Sequence, residues 1–506
     1  MELESEGLMT NRDTSLPSEL REEAHRLAEA AKSAGLDCFP TIFEVVDYQQ
    51  LNEIAAYGGF PTRYPHWKWG MEYERLSKSY TYGLSLIYEM VINTNPCYAY
   101  LLRANSMVYQ KTVMAHVYGH CDFFKNNYWF SKTNRKMLDQ MANHSSTIRK
   151  LMNEVGHDEV EAFIDTCLAL DNLIDIHGQF KTPSKKKTLD EIEVESKRIP
   201  GKLQSKNYMD KYVNPADFLE AQKIKIQQET DQQKNFPERP ERDVLKFLIE
   251  HAPISSWQKR VIEIIRDESY YFAPQGQTKI LNEGWATYWH SKMMTQLAPL
   301  SEAEIIDYCD HYAGVVASHS GRLNPYKLGV ELLRHVEKRW DEGKFGIDYI
   351  NTDDPKVRRE WNTGAGLGRQ KIFEVRKFHN DITFIEEFLD EDFCHETKMF
   401  IYDVDPKTGR QIISSRDFNK IKQQLLSQIT NFGQPLIDVV DGNFKNRGEL
   451  LLLHQFSGVE IKHDYAIETL KCLHRIWNRP VHIETWSEDS RKRISWDGQT
   501  STIEKA

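Results

Sequence analysis

Apolar positions recur three and four residues apart through most of the first 345 residues, the spacing of amphipathic and buried helices. The stretch "SELREEAHRLAEAAKSAG" puts Leu20, Ala24, Leu27, Ala28 and Ala31 on one face, with Ser18 as a cap and Gly35 as a stop. In "YGGFPTRYPHWKWGMEYERL", Gly58, Gly59, Pro61 and Pro65 exclude regular structure, while Tyr64, Trp67, Trp69 and Tyr73 predict a loop packed against the body. From Ser79 to about Ile176 the pattern is helical. "YLLRANSMVYQKTVMAHVYGH" is expected as one buried helix and "DEVEAFIDTCLALDNLIDIH" as another. A polar segment, about 180–242, then reads as an insertion within the helical domain. Helical periodicity resumes at "DVLKFLIEHA" and runs to about Lys344.

Beyond Phe345 the pattern changes. "KMFIYDV", "RQIISS", "PLIDVVDG", "ELLLLHQF" and "RPVHIETW" read as strands rich in branched residues, with "DGNFKNRG" as a turn and helices starting near Arg416 and Tyr465. The expected fold is a mainly helical N-terminal domain followed by a small α+β C-terminal domain. The expected boundaries are a helix and polar tail over 1–37, a helical core over 38–345, joining helices over 346–394, the small domain over 395–490 and a polar tail over 491–506.

The 506 residues are 40% apolar and 11% aromatic, which excludes a disordered chain, and the formal net charge of -10 favours neither nucleic acid nor an anionic membrane. The basic clusters "PSKKK" and "SRKR" are short and flanked by acids. No window approaches the roughly 18 uncharged apolar residues of a spanning helix. The start "MELESEGLMTNRDTSLPSEL" has neither a basic region nor an apolar core, so no secretory signal is expected. Seven cysteines without a CxxC pair argue against a disulfide framework, and the cytoplasm is the expected compartment.

Candidate chemistry begins with "KTVMAHVYGHCDFFKNN", in which His116 and His120 are four apart. On a helix they share a face, about 6 Å apart along the axis, where two imidazoles can close on one metal. The second stretch, "TKILNEGWATYWHSKMM", sets Glu283 and His290 in an apolar, aromatic helix. A buried carboxylate must meet a cation, a donor network or a metal. Gly284 and Ala286 would let another helix approach closely. His290 lies on the same face but about 10.5 Å along, too far to join Glu283 comfortably on one ion. Glu263, Asp267 and Glu268 in "EIIRDESYYF" read either as a solvated face or as groups turned inward. His319 and Arg322 lie in a polar stretch after the apolar helix carrying His311, in "HYAGVVASHSGRLNPYKLG", of the kind that presents substrate-binding groups.

Several dense stretches resemble the stage V sporulation protein R (SpoVR) family: "FPTIFEVVDYQQLNEIAAYGGFPTRYPHWKWGMEYERL", "GHCDFFKNN", "NEGWATYWH", "NPYKLG", "RKFHNDITFIEEFL" and "ITNFGQPLIDVVDGNFKNRGELLLLHQFSGVEI". They run from about Phe39 to Trp486. The resemblance implies a bacterial protein linked to spore cortex formation or to stress and stationary-phase physiology, with a PrkA-type serine kinase as an associated partner. It implies no particular reaction. His379 and Asp381 in "RKFHNDITF" belong to the same pattern and are expected in a hydrogen-bonded interdomain contact.

"HVYGH" with a downstream "EGWATY" is also similar to zinc peptidases of the gluzincin kind, whose HExxH helix supplies two histidines and a later helix a glutamate. That similarity implies a zincin-like helical core in which His116, His120 and Glu283 are the metal ligands. Zinc is the implied ion, with iron and manganese also compatible with two histidines and a carboxylate. Val117 stands where those peptidases carry their general base. Asp122, Asp267, Glu268 and His290 are the substitutes to weigh, and His290, His319 and Arg322, with Glu268, are the expected catalytic and cleft-lining groups. Two classes of function follow. One is a metal-dependent hydrolase acting on an amide bond; the other is a non-enzymatic regulatory protein that docks the kinase through its C-terminal domain or polar insertion.

Overall fold

The computed structural model describes residues 16–81, 89–181, 236–317, 323–405, 409–487 and 490–506, with the isolated positions 215, 217 and 220. The chain forms two compact units, one of 1–156 with 271–433 and the other of 157–270 with 434–506.

The first unit is mainly helical around a small sheet. Strand β1 (Thr41–Val46) pairs in parallel with β3 (Cys97–Leu102), and β2 (Glu89–Ile92) lies antiparallel on the far side of β3. Sequence periodicity merges β3 with the helix that follows it. The structure separates them because Arg103–Asn105 turn and the Ser106 side chain accepts the Tyr109 amide, starting a new helix at Met107. A short apolar run such as "CYAYLL" fits a buried strand as well as a helix, and the Asn-Pro and Asn-Ser pairs at its ends decide for the strand.

Helix Met107–Asn126, the histidine helix, packs one side on this sheet. Phe43 meets Tyr118 edge-on at 5.7 Å, and Thr41 Oγ1 donates to the buried Cys121 Sγ at 3.3 Å. Its other side meets helix Lys279–Lys292, the glutamate helix, which also packs against helix Pro325–Asp341. Missing side chains make both crossings close. A Cβ on Gly119 would come within 2.6 Å of the Ala286 Cα, and one on Gly284 within 2.4 Å of the Gly329 carbonyl carbon. Around the crossings Val113, Val117, Leu281, Trp285, Leu332, Leu333 and Phe384 belong to one continuous apolar core. Asp381 caps the glutamate helix from a distant segment, its two oxygens accepting the Ile280 and Leu281 amides at 2.8 and 2.9 Å. The contact expected between domains is thus a helix cap inside one unit. Strands β4 (Ile401–Val404) and β5 (Gln411–Ser415) pair as a hairpin of this unit.

The second unit carries a five-stranded sheet of β6 (Ile437–Phe444), β7 (Glu449–His454), β8 (Val481–Ser487), β9 (Ser490–Trp496) and β10 (Ser501–Lys505), in the order β10-β9-β8-β7-β6. Helix His463–Trp477 makes the crossover between the parallel strands β7 and β8, burying Leu470, Leu473 and Ile476. Residues 491–506, expected as a polar tail, mostly pair as β9 and β10. Their charges hide the alternation, because Arg493 points back to Glu484 of β8 at 2.7 Å. The insertion expected over 180–242 falls largely outside the described residues. Among the described residues no helix is long and apolar enough to cross a membrane.

Candidate metal centre

Two successive turns of the histidine helix present His116 and His120 on one face, and the crossing at Gly119 and Ala286 brings Glu283 against them. The three side chains come from residues 5%, 4% and 6% exposed. Glu283 Oε2 lies 3.3 Å from His116 Nε2 and 3.4 Å from His120 Nε2. Its other oxygen, Oε1, accepts from Lys279 Nζ at 2.5 Å, one helical turn earlier. The three ligand-type atoms all lie within 4.8 Å of one another.

Each imidazole is also held from behind. His120 Nδ1 is 2.9 Å from Asn282 Oδ1, an acceptor that keeps a proton on Nδ1, so that Nε2 either donates to Glu283 when the ring is protonated or turns its lone pair that way when the ring is neutral. His116 Nδ1 is 2.9 Å from His290 Nδ1, so one of that pair donates to the other. When His116 donates and both rings are neutral, both Nε2 lone pairs face the same point, the place a cation would take from the Nε2 protons. His290 is therefore not a companion of Glu283 on one ion; it orients His116. Burial, then His116 beside it, lowers the His290 pKa well below its usual value, so its ring is neutral. Burial raises the Glu283 pKa, but the facing His120 and the hydrogen bonds from His116 and His120 outweigh it and hold the carboxyl well below the usual range.

The remaining sequence candidates divide. Val117 is buried in the apolar core, so the usual base position holds no proton acceptor. Asp122 is engaged in packing: it accepts the Asp37 amide at 2.7 Å and Trp285 Nε1 at 2.9 Å, with the Arg376 guanidinium 3.5 Å away. Asp267 and Glu268 belong to the second unit, where Glu268 is buried, whereas the histidine and glutamate helices belong to the first. His319 and Arg322 lie outside the described residues. Sequence reasoning passed over Asn282, Lys279 and Tyr326, whose ring sits 6.1 Å from that of His116. The first two had a signal, since Asn282 adjoins Glu283 and Lys279 precedes it by one turn.

The family model described as "SpoVR like protein" matches residues 15–434, and that described as "SpoVR-like C-terminal domain" matches 435–488. The join between them falls where the chain passes from the first unit to the second for the last time. A curated relative, "Uncharacterized protein YcgB" of Escherichia coli (strain K12), is 30% identical over 487 residues, covering 91% of this chain and 90% of that protein. No solved structure matches. With both family models matched in order and a full-length relative at that identity, the chain belongs to the SpoVR family.

Proposed function

We propose that His116, His120 and Glu283 hold one divalent metal ion, zinc in the first instance, and that the centre serves hydrolysis of an amide bond. One observation carries the reading. Both Nε2 atoms stand 3.3–3.4 Å from the same carboxylate oxygen, while both Nδ1 atoms make 2.9 Å hydrogen bonds on the opposite side of each ring. Tetrahedral zinc with ligand bonds of about 2.0–2.1 Å separates its ligand atoms by about 3.3–3.4 Å. The donor set fits zinc chemically as well, and the Nδ1 partners are the orienting contacts that metal-bound histidines characteristically keep.

A divalent ion with two imidazoles and one carboxylate keeps an open position, at which it acidifies water or polarises a carbonyl. The chain's own groups set up the surroundings. Asn282 and His290 fix the ring orientations. Lys279 holds Oε1 and leaves Oε2 to the imidazoles; its own side chain is 57% exposed, which marks the solvent side of the centre. Its ammonium group adds positive charge beside any oxyanion that develops there. Val117 in the base position, and Asp122 tied into packing, favour a second reading in which the metal organises a regulatory protein and catalyses nothing.

The first test is elemental analysis of untagged protein, as wild type and as the His116→Ala, His120→Ala double variant. About one zinc, iron or manganese per chain in the wild type, lost in the variant, supports the centre. Wild type that stays metal-free after incubation with each ion and gel filtration sinks it. With the metal present, cleavage of a quenched peptide library that disappears in Glu283→Gln supports the hydrolase, and no cleavage by the loaded wild type favours the regulatory reading.

A further inference from the structure

Beside His290, the first unit has a cleft of about 320 Å³ whose lining includes Tyr288, Ser291, Lys292, Tyr308, Tyr312 and Arg334. Its size is at the lower end of small-molecule sites. The glutamate helix supplies one wall and then passes into a π-helical turn, Met293–Leu297, which puts Thr295 and Gln296 on the rim. Such turns within helices are frequent at functional sites.

The charges of the cleft do not cancel. Lys292 is neutralised by Glu337, 3.1 Å away, which also accepts the Tyr288 hydroxyl at 2.6 Å. Arg334 has no such partner. Its Nη2 donates to Ser291 Oγ and to Tyr312 Oη, each at 3.2 Å, and no carboxylate among the described residues lies within ion-pair distance of it. Its Nε and Nη1 donors face solvent, open to a ligand. Tyr308 is 4% exposed, and its hydroxyl has no hydrogen-bond partner among the described residues. A buried hydroxyl without a partner costs about 1–3 kcal/mol and calls for an explanation. Burial pushes the phenol pKa far up, so the group remains a donor. The cleft thus offers the exposed Arg334 guanidinium, which has Glu331 in electrostatic range but no ion-pair contact, a second donor in Tyr308 and the half-buried ring of Tyr312.

We propose that this cleft binds a small organic acid with one carboxylate on an apolar or aromatic body, the carboxylate on Arg334 and Tyr308 and the body against the tyrosine rings. A single guanidinium already partly offset by Glu331 matches a single negative charge better than the double charge of a phosphate, and the aromatic wall adds affinity that inorganic anions cannot use. The inference does not depend on the metal. If the amide hydrolase reading holds, the carboxylate is the group that the C-terminal end of a peptide substrate or product presents. The cleft wall continues into the centre, since the Tyr308 and Tyr312 rings meet His290 edge-on at 6.1 and 5.8 Å.

The test is isothermal titration calorimetry of the full chain with hippurate as the probe, beside its neutral analogue hippuramide and inorganic phosphate. Saturable one-to-one binding of hippurate is expected, at least tenfold tighter than hippuramide or phosphate. Arg334→Gln should weaken it at least tenfold, and Tyr308→Phe severalfold, with the helical circular dichroism unchanged. The idea is overturned by no binding of hippurate, by equal binding to Arg334→Gln, or by phosphate binding as tightly. Metal content measured on the same samples separates failure of the cleft from failure of the metal centre.

Discussion

Replacing Gly119 by alanine sets two effects of similar size against each other. Alanine in the interior of a helix gains about 1 kcal/mol over glycine. The added Cβ, however, would lie 2.6 Å from the Ala286 Cα, 3.1 Å from its Cβ and 3.4 Å from its amide nitrogen. Carbon atoms rest at about 3.5–4.0 Å, so the histidine and glutamate helices must part by about 1 Å. Overpacking of this kind costs about 1–3 kcal/mol, which leaves a net loss of about 0–2 kcal/mol. Stability alone is therefore a weak readout.

Occupancy of the proposed metal centre is a sensitive one. A displacement of about 1 Å compares with ligand-atom separations of 3.3 and 3.4 Å, and a site of this kind needs its groups held to about 0.5 Å. Gly119→Ala should keep nearly wild-type helical circular dichroism and lose most of its bound metal. Ala286→Gly on top of it should rescue little, because the nearest obstacle is the backbone Cα of residue 286 and not its side chain. Gly70→Ala, in helix Trp67–Thr81 with nothing among the described residues within 4 Å of the added carbon, is the control and should gain about 0.5–1 kcal/mol. Melting curves and elemental analysis on the same samples decide it. Full metal occupancy in Gly119→Ala, with unchanged resistance to a chelator, would refute the claim that this crossing positions the ligands.

Asn282→Ala removes the acceptor behind His120 Nδ1 and should lower metal affinity about 10–100-fold in competition with a fluorescent chelator; a change under about twofold counts against its role. Glu304 accepts Lys111 Nζ of the histidine helix at 2.8 Å, and that bond, with its cap contacts to Ser301, holds its pKa near 2 against an ordinary 4.5. Because the folded value is the lower one, the stabilisation is present above about pH 4.5 and is lost as the pH falls toward 2. Wild type and Glu304→Gln should therefore differ in melting temperature at pH 6 and converge near pH 2, and a gap independent of pH would remove this explanation.

Much of the centre was legible before any coordinates. The spacing of His116 and His120 fixes a shared helical face, and an acid as deep in an apolar helix as Glu283 demands a partner. Gly284 and Ala286 signalled a close approach, and the structure places Gly329 against the first and Gly119 against the second. What the sequence hid depends on contacts between distant segments. Nothing local says that Asp381 caps the glutamate helix across 100 residues, or that the His290 ring turns back to His116 when its Cα lies two turns from Glu283. The strands were lost for a different reason: β3 is too short for periodicity to separate it from a helix, and the charges of β9 disguise its alternation as a polar tail.

The alternative to a metal is a buried ion pair, a protonated imidazole donating to Glu283. The energetics alone do not choose, since either arrangement compensates a buried carboxylate. The distances favour the proposed metal. A charge-assisted N–H···O bond contracts to about 2.7–2.9 Å, and a single imidazolium would draw Oε2 toward itself and away from its neighbour. Here the oxygen stays nearly equidistant, at 3.3 and 3.4 Å, while the same rings make 2.9 Å bonds at their outer nitrogens. Two rings held tightly from outside and loosely toward a common oxygen have the spacing of ligands around a third body. A pH titration of the metal-free protein followed through the histidine ring protons tests the distinction. If the ion pair is what the site is built for, one of the two rings stays protonated well above pH 7 and added zinc does not displace its proton. If the site is built for metal, zinc shifts both rings together at neutral pH, and the Asn282→Ala variant needs more zinc to do so.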